Sequence, residues 1–395
     1  MEDCLGVWKL LESAGYSSCV DCGLDRGCRN PHMSYTGKGA DSFLVIGEAP
    51  GEEEDKVGIQ FIGKSGQYFR RVLRSFGKDL DIHFWKTNAL RCFPQKEDPS
   101  SKVSFCRPAV LKEIEELKPV VILLLGGIAV ESIIGYLWGG STGGIFRWAG
   151  FQIPCRKWNC WICPTYHPSY VLRTNKDPAV VLWFRKHLEN ALNLSDRPYS
   201  GKVENLKDKI ECIMEPYMAA FVLRDMLEKG KDKAFSFDFE TSCLKPDGDK
   251  SKILAAAVSC EGKKTIAFPV VGDAVNALKQ FLTSDVPKIG WNIKFEDRWA
   301  RSVLGVDIKN WVWDGMLATH VIDNRSDITG LKFQAFVQLG IEPWDKEVES
   351  YIDADGGYEE NRLRLLNLRD LLLYNGIDAL VTYLLAVRQR KLLGW

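Results

Sequence analysis

The chain has 395 residues, 52 basic and 52 acidic, so its formal charge is zero; 46% of it is hydrophobic and 26% charged. That length exceeds one ordinary core and predicts two or three domains, and the composition is globular, which excludes a disordered, collagenous or polybasic chain. The opening MEDCLGVWKLLESAG has no basic segment before an apolar run, and the longest apolar run, Val120 to Leu125, is only strand-length; a cytoplasmic protein with no membrane partner is expected.

In chain order, SSCVDCG comes first, with Cys19 and Cys22, and Cys92 and Cys106 follow in RCFPQ and SFCRP; twelve cysteines are many where disulfides are disfavoured. Two close thiolates and two remote ones can meet at one centre, and four cysteines without histidine suit either an iron–sulfur cluster or structural zinc. Cys155, Cys160 and Cys163 read as buried apolar thiols. DSFLVIGEAPG predicts a buried strand ending in a glycine turn, and Glu52 to Asp55 an acidic helix start favoured by the helix dipole. GKSGQYFRRVLRSFG reads as a helix, FWKTNALRC as a strand, VLKEIEELKP as a helix, VVILLLGG as a strand and IAVESIIGYL as a helix. CWICPTYHPSYVLR closes the series as a strand entering a loop and a short helix. This alternation predicts a mostly parallel sheet whose strand ends carry the chemistry.

SDRPYSGKVENL is polar and turn-rich, a boundary, and LKDKIECIMEPYMAAFVLRDMLEKG reads as a helix kinked near Pro216. The expected division is residues 1–195, a linker and connecting helix over 196–232, and a second domain over 233–395. There AFSFDFETSCL, ILAAAVSC and KTIAFPV read as strands, with helical patterns from Ala274 onward. Asp238 and Glu240 lie two apart on one strand and share a face. Hydrolysis of a phosphodiester by two metal ions roughly 4 Å apart needs clustered carboxylates, and GWNIKFED and YNGID supply more.

GEAPGEEEDKVGIQFIGKSG, TNALRC, LLLGGIA and TYHPSYVLR, in that order and with the two cysteine pairs, resemble the family 4 uracil-DNA glycosylases over residues 1 to about 195. The resemblance implies a three-layer parallel-sheet domain with a 4Fe–4S cluster on Cys19, Cys22, Cys92 and Cys106. Its role would be structural, fixing the strand that reads the base, with zinc as the rival and colour to separate them. The resemblance also implies that a uracil-containing nucleotide is extruded from DNA, because its glycosidic carbon is inaccessible in the stack. His167 would donate to uracil O2, Asn88 would read the polar edge, Phe61 would stack on the ring and Glu48 would orient water. Glu54 would sit near C5, where a thymine methyl must be excluded, and the acidic run would form the pocket rim. Arg173 would fill the gap left by the base or contact a phosphate. IQFIG and CFPQ depart from the family's commoner arginine-proline-phenylalanine and cysteine-arginine-proline-proline patterns, which makes a modified pyrimidine the alternative substrate.

DxE at Asp238 and Glu240, NxKF with adjacent acids, WDGMLATHVID, and YxxxD at Tyr374 and Asp378 resemble the DEDDy 3'-5' exonuclease domain of family A DNA polymerases. An RNase H-like fold follows from the resemblance, with two Mg2+ or Mn2+ ions on Asp238, Glu240, Glu296 and Asp378. Asp297 is the alternative to Glu296, since glutamate replaces the family's aspartate there. Tyr374 would orient the attacking water, and Leu244 would wedge against the terminal base of a single-stranded or frayed 3' end. The polymerase domains that follow in that family have no counterpart before the final LLGW, so a separately encoded polymerase partner is expected, in a bacterium or a phage-infected host. The expected activity is bifunctional, uracil excision joined to 3'-5' degradation. The alternative is an exonuclease with a non-catalytic uracil- or DNA-binding module.

Overall fold

A computed structural model describes residues 19–197, 199, 201, 205–248, 251–352 and 357–395. The opening stretch and parts of the expected linker, at 198, 200 and 202–204, lie outside the described residues. The chain divides into two compact units, residues 1–202 and 203–395.

The first unit is built on a five-stranded sheet. After a short helix α1 (Cys19–Cys22), strand β1 (Phe43–Gly47) leads to α2 (Glu52–Val57) and α3 (Lys64–Ser75), and β2 (Phe84–Asn88) to α4 (Val103–Leu117). Next come β3 (Val121–Leu125), α5 (Gly127–Trp138), β4 (Ile153–Cys155), β5 (Cys160–Thr165), α6 (Pro168–Arg173) and α7 (Pro178–Leu192). The strand order is β2-β1-β3-β5-β4. All pairs are parallel except β4 with β5. Every residue of FLVIG and VILLL is buried, as continuous apolar strands covered on both faces require. Phe69, Leu73, Phe184 and Leu188 from α3 and α7 pack on Phe43, Val45 and Leu123 of one face. The parallel strands all end at one edge, and there the chain turns outward into its loops.

The second unit opens with β6 (Ile210–Cys212), α8 (Pro216–Lys229), β7 (Phe235–Thr241), β8 (Ile253–Cys260), β9 (Lys264–Pro269) and α9 (Asp273–Thr283). It continues with β10 (Lys288–Gly290), α10 (Ile293–Trp299), β11 (Trp311–Asp314), α11 (Gly315–Ile322), α12 (Leu331–Leu339) and the long α13 (Leu368–Leu393). The sheet order is β11-β10-β7-β8-β9-β6. β7, β8 and β9 form an antiparallel meander, and β10 and β11 add in parallel beside β7. A three-strand meander extended by parallel strands on the side of its first strand is the RNase H-like fold, as expected.

Two expectations need correction. Residues 203–232 do not link the units but belong to the second one, because β6 pairs in parallel with β9. Nor does Pro216 kink a helix. It occupies the first turn of α8, where a missing N–H costs nothing, and the preceding IEC is a strand.

One helix among the described residues, α13, is long and apolar enough to cross a membrane, yet 72% of its most apolar window is buried inside the protein. It is a core helix. Ala255, Ala257 and Ala267 on the sheet let it approach closely, and they pack with Ile377, Ala379 and Val381. At Gly376 a Cβ would come within 2.4 Å of Ile210 Cγ2, so the helix meets β6 there with no room for a side chain.

Candidate functional sites

In the first unit, the ends of β1, β2, β3 and β5 bring together Glu48, Asn88, Gly126 and His167. The β1 and β2 ends are tied by Ala89 N–H donating to Gly47 O (2.8 Å) and Leu90 N–H to Glu48 O (2.9 Å). Gly126 N–H donates to Thr165 O (2.9 Å), joining β3 to β5. Gly126 has φ 95°, and a Cβ on it would lie 2.2 Å from Glu48 Oε1, so the glycine both makes the turn and leaves space for the carboxylate. The Glu48 carboxylate faces the start of α5, accepting from Ile128 N–H at 3.4 Å.

Gly47 plays the same part on β1. A Cβ there would meet Asn88 Oδ1 at 2.4 Å and the Phe61 ring at 2.8 Å, so the Asn88 amide and the Phe61 ring both lie against bare backbone. Phe61 adopts a left-handed φ of 57°, rare for a bulky residue, and its carbonyl accepts from Arg70 Nε (3.0 Å). The ring is buried, 5.9 Å from that of Phe69.

His167 caps α6. Its Nδ1 accepts from Ser169 N–H (3.2 Å) and lies 2.7 Å from Ser169 Oγ, while Arg173 Nη1 donates to that same Oγ (2.9 Å). With Nδ1 accepting, the proton of the neutral ring sits on Nε2. Burial pushes the His167 pKa down against the opposing pull of the Glu48 charge, which favours that neutral ring. Arg173 thus reaches His167 through Ser169, a connection that sequence reading missed and that the i, i+4 spacing of Ser169 and Arg173 could have suggested.

The acidic run divides. Glu52 and Glu53 are exposed and pair with Lys56. Asp55 accepts from the N–H groups of Arg29 and Asn30, fastening the cysteine-bearing segment to α2. Glu54 is buried and turns inward on its own loop: Oε2 accepts from Gly51 N–H (3.1 Å), and Oε1 from Ile62 N–H (3.1 Å) and Gly63 N–H (2.9 Å). Of the four acids, Glu52 and Glu53 thus stand in solvent, while Glu54 and Asp55 fasten backbone.

Cys22, Cys92 and Cys106 share one buried cluster with Leu24 and Leu90, and Cys28 packs beside it. Cys19 is buried, and burial, followed by the nearby Cys106 and Cys22, pushes its thiol up to about 12. Among the described residues no three cysteine thiols lie within 4.8 Å of one another, whereas three carboxylates do.

Those carboxylates belong to Asp238, Glu240 and Asp378 in the second unit, and such an oxygen-only cluster could hold a divalent ion of the magnesium type. Asp238 and Glu240 stand opposite Ala257 and Ala255 of β8, and α13 supplies Asp378. Asn375 Nδ2 donates to Asp238 Oδ2 (2.8 Å), and Trp344 Nε1 to Asp378 Oδ1 (2.7 Å). Burial, then mutual repulsion, holds the Asp238 and Glu240 carboxyls well above the usual range; burial raises Asp378 to about 6. A bound cation would relieve that repulsion.

Glu296 is buried with Oε2 unpartnered, and burial, followed by the charge of Asp238, raises its carboxyl well above the ordinary value. Asp297 instead pairs with Arg301 (3.0 Å). Asp314 fixes this arrangement by accepting from the N–H groups of Asn292, Ile293, Met316 and Leu317 at once, while Asn292 takes a left-handed φ of 66°. The role of Asp314 was hidden inside WDGMLATHVID. Tyr374 Oη lies 2.8 Å from Lys332 Nζ, and Leu244 is 66% exposed on the loop after β7.

Comparison with known proteins bears on the first unit most directly. Residues 34–193 match the model of the uracil DNA glycosylase superfamily. Within it, the type-4 uracil-DNA glycosylase of Pyrobaculum aerophilum is 30% identical over 182 residues, 43% of this chain and 86% of that protein. The type-4 enzyme of Thermotoga maritima is 30% identical over 138 residues, 34% of this chain and 68% of that one. Through its first unit, the chain belongs to the type-4 uracil-DNA glycosylase family. Solved structures similar to the chain include Brucella melitensis NrnC with bound Mg2+, at 16% identity and TM-score 0.33, covering 42% of this chain and 77% of that one. Escherichia coli RNase D is similar at 14% identity and TM-score 0.35, covering 47% and 46%.

Proposed function

We propose that the protein is a bifunctional DNA-processing enzyme, in which the first unit hydrolyses the N-glycosidic bond of deoxyuridine and the second removes nucleotides from 3' ends with two divalent ions. The observation that carries the reading is the meeting of Asp238, Glu240 and Asp378 in a chain whose other half belongs to the type-4 family. Glycosidic cleavage leaves an oxocarbenium-like sugar and a uracil anion, so catalysis needs a donor at the base oxygens and a held water. A neutral His167 with its proton on Nε2 is suited to donate to O2, Asn88 to bond the polar edge, and Phe61 to stack against the ring. Glu48, kept at the edge by the space at Gly126, is suited to hold the water. Arg173 supports His167 through Ser169 and stands beside the DNA. Glu54 holds the loop that carries Phe61.

Cys19, Cys22, Cys92 and Cys106 would hold a 4Fe–4S cluster of structural role. Four cysteines without histidine suit such a cluster, and membership of the type-4 family supports it over zinc. In the second unit, Asp238, Glu240, Glu296 and Asp378 would hold two magnesium ions, which supply charge stabilisation and an activated water when bound. Tyr374 orients that water, and Leu244 rests on the terminal base. The natural substrate is single-stranded or frayed DNA carrying uracil, in the cytoplasm of a bacterium or an infected host, beside a separate polymerase.

The test uses a 5'-labelled oligonucleotide with one internal uracil, first in EDTA and then in magnesium, followed by hot alkali. Cleavage at the uracil in EDTA with a 3' ladder only in magnesium is the expected result. An uncut strand in EDTA overturns the glycosylase half, and no ladder in magnesium the exonuclease half. Iron and sulfide analysis, with a broad visible absorption, decides between the cluster and zinc.

A further inference from the structure

Lys332 is the first-turn lysine of α12, in GLKFQAFVQLG, and nothing in the sequence patterns drew attention to it. Its side chain is one-quarter exposed, and its ammonium lies 2.8 Å from Tyr374 Oη and 3.3 Å from Asp345 Oδ2. It also lies 4.9 Å from the centre of the Tyr374 ring and 5.9 Å from that of Trp344, whose indole donates to Asp378. Lys332 of α12 and the Trp344–Asp345 segment that follows it thus converge on a phenol carried by α13.

A lysine ammonium has three donors and no acceptor, while a tyrosine hydroxyl has one donor and two acceptor positions. Lys332 therefore occupies one lone pair of Tyr374 Oη, and the phenol hydrogen points elsewhere. Asp378 stands one helical turn along α13 from Tyr374, on the same face, so its carboxylate is an acceptor toward which the phenol hydrogen can turn. With its hydrogen directed toward Asp378 and one lone pair held by Lys332, the hydroxyl has a single lone pair left for a water. Without Lys332 the hydroxyl could rotate, and either lone pair could face the carboxylate cluster.

We propose that Lys332 is a positioning residue of the exonuclease site, fixing the rotation of the Tyr374 hydroxyl so that its one remaining lone pair receives the attacking water. Asp345, by pairing with Lys332, holds the ammonium in place. The inference rests on the exonuclease reading of the second unit. Lys332 has its hydrogen bonds to Tyr374 and Asp345, while its charge also bears on Asp238, Glu240 and Asp378, so a route through the hydroxyl has to be separated from a route through the carboxylates.

The test is a double-mutant cycle on the full chain with a 3'-labelled single strand in magnesium, using K332M, Y374F and K332M/Y374F, with K332R as the conservative variant. Losing a hydrogen bond to a charged group costs about 1.5–3 kcal/mol, so K332M should lower kcat by roughly 10- to 100-fold. KM for the strand should stay at the wild-type value, and the rates are compared at saturating magnesium because the Lys332 charge also bears on the carboxylates. Y374F should fall comparably, the double variant should fall no further than Y374F, and K332R should recover most of the rate. Strand affinity in EDTA, read by fluorescence anisotropy, should be unchanged in K332M, which separates a misplaced hydroxyl from a disrupted fold. Losses that multiply in the double variant, or a K332M with wild-type kcat, overturn the proposal while leaving the exonuclease reading intact. A wild-type protein that releases no nucleotide in magnesium overturns both.

Discussion

Replacing Glu54 with glutamine separates two roles for the most buried residue of the acidic run. The carboxylate satisfies three loop amides, those of Gly51, Ile62 and Gly63, which glutamine cannot do because one of its two terminal atoms is a donor. Either the amide nitrogen faces Gly51 N–H, or the side chain flips and faces the other two. Losing one charge-assisted bond and weakening the rest should cost about 2–4 kcal/mol. At roughly 2–4 °C per kcal/mol for a unit of this size, the first unit should melt about 5–15 °C lower. Ile62 and Gly63 follow Phe61 directly, so uracil release should fall as the loop loosens, and no thymine should be released. The assays are thermal unfolding by circular dichroism and base release from matched uracil and thymine oligonucleotides. An E54Q protein that melts with the wild type and excises thymine would refute the loop-fastening role and favour the methyl-excluding one expected from the sequence.

G126A places a methyl 2.2 Å from Glu48 Oε1 in a φ that suits only glycine, so uracil release should drop while magnesium-dependent nucleotide release is unchanged; equal loss of both would count against a local effect. E296Q should reduce nucleotide release by at least the roughly 10- to 100-fold that even outer-shell partners of metal ligands cost. D297N should not, because Asp297 is engaged with Arg301, and the reverse order of rates would exchange the two assignments. Asp81, bonded first by Arg70 and also by Lys86, is held at about 2 against an ordinary 3.8. A depressed carboxyl contributes stability that is present above 3.8 and lost as pH falls through 2. Urea midpoints should therefore fall over that window in the wild type and fall less in D81N, and parallel curves would contradict the assignment.

What the sequence disclosed and what it hid divide along a physical line. Periodicity and turn chemistry expose a residue when its own environment is local. FLVIG and VILLL read as fully buried strands and are, and Asp238 and Glu240, two apart on one strand, share a face by the pleat alone. IEC escapes detection because a three-residue strand completes no period, and Pro216 reads as interrupting a helix that it in fact begins. The residues that hold other residues were least legible. Glu54 was visible as an acid but not as an acceptor for amides eight and nine residues ahead. Asp314 fastens a turn 22 residues behind it, and Lys332 reaches a phenol 42 residues away. Each such contact exists only after two elements pack, and no local pattern encodes the partner. The choice between Glu296 and Asp297 follows the same logic. Adjacent acids on a helix point about 100° apart, so only the packing of α10 decides which one faces Asp238, and that packing is set by Asp314 from another strand.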